Sequence, residues 1–595
     1  MEKDLFSNLK AILIEYRWRF LKAFLMVLTS NILLIANPVV LRQAVMALDP
    51  HLEKPAFATF LTYFFGNRGT FLSTWVFLLL TITVISAYFK YQMRVAFISV
   101  SRDVEMQVRD KLFDRIQSQS MEFFDRHGIG ELLSRLTNDI SAYRDVLGPG
   151  IMYPLFFLTL VVPGLAALFY ISFKLTLLSL IPLIAIPLLN RVLRGHIFTL
   201  SLAVQRGLAE MSNATQEYYS GIRIIKGYAV EEVFFQKFRS ICQKLIGLNI
   251  RLASMQGLIF PFLTFLTRIV TALLVLFSGF IILKAWSELN SADFVSFMWI
   301  QSYIFFPVLM LGWVLPLYQR GKAAYSRLVE IYEEPNAVND DAASQLKITP
   351  QADIALCNLT FSYPHSDRKT LSNINITIEG GSFVGITGPV GAGKTTLFRL
   401  LNREYEIPKG MIFIGGKDIH DYSLEALRQE IVTVEQIPFL FSKTLAENVS
   451  FGKENASLQE IELAAQYADL HDTVIEFPEQ YSTLVGERGV TLSGGQKQRV
   501  AMARAFLVKR SILLLDDIFA AVDIKTENRI FTAMRKNFSE KTVLLITHRV
   551  SLLEQMDRVI YLKGGLVLED GEPDVLKGKH GAYAALVDLF KESRR

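Results

Sequence analysis

Residues Gly388-Pro389-Val390-Gly391-Ala392-Gly393-Lys394-Thr395 satisfy the spacing G-x-x-x-x-G-K-[ST] at every fixed position. The chemistry these types can do is phosphate capture. Glycines let successive backbone N–H groups close around phosphate oxygens, and a helix N-terminus adds positive potential. Lys394 is expected to reach the β- and γ-phosphates, and the Thr395 hydroxyl to ligate Mg²⁺. The flanks agree: Phe383–Thr387 reads as a short buried strand, and residues 396–401, beginning with Thr396, as a helix. A plain glycine turn between strand and helix is the competing reading of the motif alone.

Two further stretches carry chemistry. The apolar run 511–515 ends in Asp516 and Asp517, which reads as a strand beside the phosphate loop with Asp516 holding Mg²⁺ through water. A buried strand with a polar end is the simpler alternative. Ser493-Gly494-Gly495-Gln496 opens a helix running through Arg499 and Arg504. Glycines at a helix start fit a phosphate contact, while Ser493 also fits an ordinary N-cap.

The elements that must position these residues follow from length and composition. A chain of 595 residues exceeds one core. It is 51% hydrophobic with mean hydropathy +0.31, the average expected of one membrane half and one soluble half. The net charge of +5 comes without a Lys/Arg-rich tract, which argues against a nucleic-acid partner. Cys242 and Cys357 fall in segments expected to be cytosolic, so no structural disulfide is expected. The N-terminus lacks a cleavable signal pattern.

Apolar spacing at Leu5, Leu9, Ile12, Leu13 and Tyr16 predicts an amphipathic helix lying on the membrane surface. Six spans follow at 19–41, 72–94, 151–171, 174–195, 257–284 and 291–316, each near the ~20 residues a bilayer needs. The long segments 95–150 and 196–256 are rich in charge, and Lys90, Arg94, Arg191 and Arg194 flank them. The positive-inside bias therefore puts both segments and the N-terminus in the cytoplasm. Structureless loops of that length are uncommon, so they are expected to be helical extensions. Each has a break, at Arg126-His127-Gly128-Ile129-Gly130 and at Tyr219-Ser220-Gly221, where a short transverse helix can face a cytosolic partner. The expected organisation is an all-α membrane domain over 1–332, a polar linker over 333–352 and an α/β domain over 353–595.

In combination these motifs resemble ABC transporters, specifically half-size exporters with one six-span membrane domain followed by one nucleotide-binding domain. The resemblance covers nearly the whole chain. It implies that Tyr363, in Phe361-Ser362-Tyr363-Pro364, stacks on adenine. It implies that Gln436 senses Mg²⁺ and the attacking water, and that His548, after the strand-like run 543–547, is the switch residue at the γ-phosphate. Ser493, Gly494, Gly495 and Gln496 match the signature that closes over ATP on the opposite subunit. Ala520-Ala521-Val522-Asp523 matches the loop linking the two sites. Gly486-Glu487-Arg488-Gly489 matches an exporter loop that meets the transverse helices, and 122–140 resembles the first of those coupling regions. The family works as a dimer in the cytoplasmic membrane, with nucleotide domains in the cytoplasm. ATP closure turns the membrane halves outward and hydrolysis resets them.

One position departs from the family. The usual catalytic Glu is replaced by Asp517, one methylene shorter. The expected consequence is a weak site on this chain's own phosphate loop and a heterodimer like the bacterial multidrug exporters, with a homodimer using Asp517 as the alternative. The cargo is expected to be hydrophobic or amphipathic. Arg268 sits inside the fifth span, roughly 24 Å from Lys284 at about 1.5 Å per residue. It fits cavity lining or structural pairing equally. The sixth span is aromatic (Phe294, Phe297, Trp299, Tyr303, Phe305, Phe306, Trp313, with Gln301 among them), and helix packing explains it as well as cargo does. A lipid or lipopolysaccharide flippase, and an ATP-gated channel or regulator, remain the other readings.

Overall fold

A computed structural model describes residues 5–48, 68–283, 290–338, 346–364, 366–486, 489 and 491–592. The chain forms two compact units. One comprises Met1–Ile116 with Gly130–Glu334, and the other Gln117–Ile129 with Pro335–Arg595.

The first unit is helical. Six of its helices, Arg17–Leu48, Arg68–Gln117, Pro149–Ile171, Phe173–Ser220, Ile259–Leu283 and Ser291–Glu333, each overlap one expected span, and the 27-residue helix Glu231–Gly257 lies in the expected cytosolic segment before the fifth. In hydrocarbon the backbone must satisfy its own polar groups, which a helix does within one segment. Among the described residues, Arg17–Met46, Ser73–Gln117 and Ile129–Ile171 are long and apolar enough to cross a membrane, and Thr264–Phe280 is a shorter apolar stretch. Lys284 lies outside the described residues. Helices Arg68–Gln117 and Phe173–Ser220 continue well past the expected spans. Short helices stand at both breaks: Met121–Arg126 ends at an extended His127, and Gly221 precedes Ile222–Gly227.

Packing in this unit combines small residues with polar ties. Val161, Leu168, Leu274, Phe297, Ile300 and Ile304 share one buried cluster. A Cβ on Gly164 would stand 3.0 Å from Ile304 Cδ1, so glycine permits the close helix approach. Across helices, Ser30 Oγ donates to the Ser86 carbonyl at 3.0 Å and Ser86 Oγ to the Ser30 carbonyl at 2.9 Å. Asn31 Nδ2 donates to Thr159 Oγ1 at 2.8 Å, and Ser296 Oγ to the Pro38 carbonyl at 2.8 Å. Phe297 is thus a packing residue, whereas Trp313 and Arg268 are exposed. The side chains of Phe305 and Phe306 lie outside the description.

The N-terminal helix Leu5–Glu15 differs from expectation. Leu5, Leu9 and Ile12 are buried against the protein, and Asn8 accepts a hydrogen bond from Tyr143. Phe6, Leu13 and Ile14 are exposed. The predicted apolar stripe is therefore split: Leu5, Leu9 and Ile12 pack on the helical unit, and Leu13 is exposed. The expected linker is also anchored at its start. Arg115 Nη2 donates to the Glu334 carbonyl at 2.6 Å, and Val338 is buried.

The second unit is α/β. β1 (Ile354–Phe361), β2 (Leu371–Ile378), β4 (Ile412–Ile414) and β5 (Lys417–Asp418) form an antiparallel sheet in the order β2-β1-β4-β5. The six-stranded sheet runs β10-β9-β3-β8-β7-β6, with β3 at Phe383–Thr387, β6 at Ile431–Val434, β7 at Ile512–Asp516, β8 at Thr542–Ile546, β9 at Arg558–Lys563 and β10 at Leu566–Gly571. β9, β3, β8, β7 and β6 pair in parallel. Every residue of β3, β7 and β8 is buried, which is why these stretches read as unbroken apolar runs rather than alternating ones. Leu514, fully buried in β7, reports on that core. Leu514→Ala should cost about 2–5 kcal/mol by lost burial and cavity formation. Differential scanning calorimetry of the full chain should then show the transition of this unit lowered by at least about 4 °C.

Candidate nucleotide site

The site forms where parallel strands end. β3 delivers the loop 388–393 and the helix Lys394–Leu401 follows. Gly388 has φ +137° and Gly393 φ +97°, a region that side chains resist. A Cβ on Gly388 would lie 1.9 Å from the Leu562 carbonyl oxygen, so the loop can be tight only with glycine there. Lys394 Nζ folds back and donates to the carbonyls of Gly388 at 2.7 Å and Pro389 at 3.0 Å. Its pKa is lowered, chiefly by burial, with Asp516 and Asp517 acting the other way.

β7 delivers the carboxylates. Thr395 Oγ1 donates to Asp516 Oδ2 at 2.6 Å. Asp517, at φ +44°, turns out of the strand, and its N–H bonds the Ile546 carbonyl at 2.9 Å. Gln436 Nε2 donates to Asp517 Oδ2 at 3.3 Å. Burial raises the pKa of both aspartates; His548 lowers that of Asp517, and the Thr395 hydrogen bond that of Asp516. His548 is pushed down by burial and then by Lys394, against the pull of Asp517 and Asp516. Tyr363 pairs its hydroxyl with Thr396 Oγ1 at 3.0 Å.

These groups surround one cavity of about 370 Å³, lined among others by Tyr363, Val390–Thr396, Gln436, Asp516, Asp517 and His548. Among the described residues, Ser493, Gly494, Gly495 and Gln496 do not line it. They form the start of the helix Gly494–Val508, where Ser493 Oγ accepts from the Gln496 N–H at 3.2 Å and the Ser493 N–H donates to Gln496 Oε1 at 2.8 Å. The N-cap expectation is met by this reciprocal box. A Cβ on Gly495 would approach the Ala521 carbonyl oxygen to 2.7 Å, so glycine lets the helix start abut the loop 520–523. Glu487 and Arg488 of the expected exporter loop lie outside the described residues.

Two residues escaped the sequence reading. Gln498, buried one turn into that helix, donates through Nε2 to the Gln436 carbonyl at 3.3 Å, and its Oε1 accepts from the Ala521 N–H at 3.1 Å. It joins the strand end carrying Gln436 to the loop after Asp517. Arg549 pairs with the fully buried Glu527 and donates to the Val522 carbonyl at 2.9 Å, tying the residue after His548 to the same loop. Their only sequence signal is adjacency to motif residues.

The donor set fits Mg²⁺. A hydroxyl and a carboxylate oxygen already stand 2.6 Å apart at Thr395 and Asp516, and both are the hard oxygen ligands this ion takes. The cavity also fits a nucleoside triphosphate in character, with a glycine loop and a lysine at one wall and an aromatic ring at another.

Residues 20–308 match the ABC transporter transmembrane region and residues 371–520 match the ABC transporter family. The chain is 33% identical over 516 residues to the multidrug resistance-like ATP-binding protein MdlA of Escherichia coli, covering 86% of each. It is 31% identical over 552 residues to the ATP-dependent lipid A-core flippase of Syntrophus aciditrophicus, covering 91% of this chain and 89% of that one. The solved structure of a bacterial Atm1-family ABC exporter with ATP bound superposes with a TM-score of 0.76 at 25% identity, over 96% of this chain and 98% of the other.

The depressed pKa of His548 has a signed consequence for stability. The neutral ring is favoured in the fold, so this contribution is present above the ordinary value of 6.5 and is lost as pH falls through the lower folded value. In nucleotide- and magnesium-free protein, thermal melts taken from pH 7.5 to about 5.5 should show the native chain losing stability relative to His548→Gln, with no divergence above pH 7.

Proposed function

The chain belongs to the ABC transporter family as a half-size exporter, a multi-pass membrane protein whose cytoplasmic ATPase domain couples hydrolysis to transport, and from that premise we propose that it exports hydrophobic or amphipathic compounds across the cytoplasmic membrane as one half of a heterodimer. The observation that carries the dimer is the separation of parts. The cavity holds the phosphate loop, carboxylates and histidine, while the helix start at Ser493 is not among its lining residues. A second subunit's helix start would complete this cavity, and Ser493–Gln496 would complete the partner's.

In this reading each residue has a role. Tyr363 stacks the adenine. Residues 388–396, with the backbone N–H groups of Gly388, Val390, Gly391, Ala392 and Gly393 and with Pro389 shaping the turn, wrap the phosphates. Lys394 exchanges its contacts with the Gly388 and Pro389 carbonyls for phosphate oxygens, which restores charge compensation to a buried ammonium. Thr395, Asp516 and Gln436 would hold Mg²⁺, whose charge neutralises the triphosphate. His548 contacts the γ-phosphate, and Asp517 accepts a proton from the attacking water with Gln436 steadying its carboxylate. A carboxylate about 1 Å short of its water can lose about 10²-fold in rate, which supports a weak site on this chain and a stronger one completed by its intact signature on the partner.

A homodimer is the second reading. It is favoured by the Gln436 contact and by the raised pKa of Asp517, which makes that carboxylate a better proton acceptor. The name of the Syntrophus relative supports lipid cargo, and that of the Escherichia coli relative drug-like cargo, under either assembly. Movement of cargo against its gradient in vesicles separates both from an ATP-gated channel.

ATPase assays of the chain alone and co-expressed with a second half-transporter decide the assembly. The heterodimer reading expects a nearly silent lone chain, restored turnover in the pair, and less than about twofold change on Asp517→Glu. A lone chain that turns over well, and loses about 10²-fold or more on Asp517→Asn, would establish the homodimer with Asp517 as its base.

A further inference from the structure

Tyr405 has no place in the site described above, yet it connects that site to a distant part of the chain. Its ring is 2% exposed. It meets Tyr363 at right angles with centroids 5.2 Å apart, and Phe361 at 5.8 Å. Phe361 and Tyr363 are themselves edge-on at 5.2 Å. The Tyr405 hydroxyl donates to the carboxylate of Asp125, 280 residues earlier. Burial and then the Asp125 hydrogen bond raise its pKa, so it remains a donor at physiological pH.

Asp125 lies on the short helix Met121–Arg126, whose Phe123 is 1% exposed. The segment Gln117–Ile129 belongs to the same compact unit as Tyr405. Asn336 holds it there, accepting from the Ser120 N–H at 3.1 Å and donating to the Ser118 carbonyl at 2.8 Å. In sequence the same segment joins helix Arg68–Gln117 to helix Ile129–Ser134.

We infer that Tyr405 is a positioning residue that links occupancy of the base position at Tyr363 to Asp125 in the segment between those helices. The inference rests on the reading that Tyr363 stacks the adenine. A base stacked on Tyr363 restricts that ring. The Tyr405 ring, packed edge-to-face against it in a close-packed cluster, must follow displacements of a few tenths of an ångström or lose contact. At its far end Tyr405 makes a phenol–carboxylate bond, which is short and steep in distance. One rigid ring therefore joins a stacking contact to a charge-assisted one. Linkage is reciprocal, so a change at Asp125 returns as a change in affinity for the base.

Hydrogen–deuterium exchange of residues 117–129 in the full chain in nanodiscs tests this. MgADP supplies the base without the γ-phosphate, and magnesium pyrophosphate supplies phosphates without the base. The expected result is that MgADP slows exchange in 117–129 by about fivefold and pyrophosphate does not. Tyr405→Phe keeps the ring and removes the hydroxyl; it should abolish the response while leaving the ATPase of the chain co-expressed with a second half-transporter within about twofold. Asp125→Ala should abolish it too, and Asp125→Asn, which keeps an acceptor oxygen, should retain it. Equal responses to MgADP and pyrophosphate, or an undiminished response in Tyr405→Phe, would overturn the inference. Tyr363→Ala separates the two ideas. If it weakens MgADP binding while Tyr405→Phe leaves the exchange response intact, the adenine reading stands and the link falls. If it binds MgADP like the native chain, the adenine reading falls and takes the link with it.

Discussion

The parallel register of three buried strands governs the nucleotide domain. Ile386 of β3 and Asp516 of β7 both pair with Ile546 of β8, so all three strands end level. The loop beginning at Gly388, the carboxylates at Asp516 and Asp517, and His548 two residues past Ile546 then emerge at one edge. A slip of one residue in β7 would turn Asp516 to the opposite face of the sheet and replace it with Leu515. These strands are therefore a positioning device as well as a core: their observed register delivers the polar residues at one level. The Thr395–Asp516 hydrogen bond closes the arrangement by fastening the first turn of the helix after the loop to the neighbouring strand end.

Most of this was readable before any coordinates because it depends on residue type at short range. A glycine loop, an apolar run ending in acids and a serine before two glycines each state their local geometry, and their order along the chain states the family. What escaped depends on distance. Gln498 is an unexceptional residue in a helix, and only the fold brings its amide between Gln436 and Ala521. Tyr405 and Asp125 stand 280 residues apart, with no periodicity to link them. The N-terminal helix shows the reverse case. Its apolar spacing was readable, but spacing alone does not say whether protein or lipid covers it, and the buried set Leu5, Leu9 and Ile12 beside the exposed Phe6, Leu13 and Ile14 shows that protein covers only one edge.

The membrane unit follows a different economy of contacts. Lipid tails are as apolar as leucine, so helices there gain little by burying hydrocarbon against one another. Close approach at Gly164 and cross-helix bonds such as Ser30 with Ser86 and Asn31 with Thr159 supply specificity instead. Such ties can be exchanged one for another at small net cost. The buried sheet of the nucleotide domain cannot be rearranged so cheaply, and it serves as the fixed frame.

Asn336 has a consequence for how the protein is made. Its bonds to Ser118 and Ser120 span 218 and 216 residues of chain, and Phe123 is seated in a unit otherwise built from Pro335 onward. On the ribosome the segment 117–129 emerges long before the surface that will receive it, and the helices from Ile129–Ser134 to Ser291–Glu333 intervene. Since chains generally fold from the N-terminus as they appear, this loop closure is among the last steps of assembly. The nucleotide domain therefore matures with a borrowed piece. Synthesised without the first half of the chain, it would carry an open seat for Phe123 and a buried tyrosine at position 405 without its acceptor.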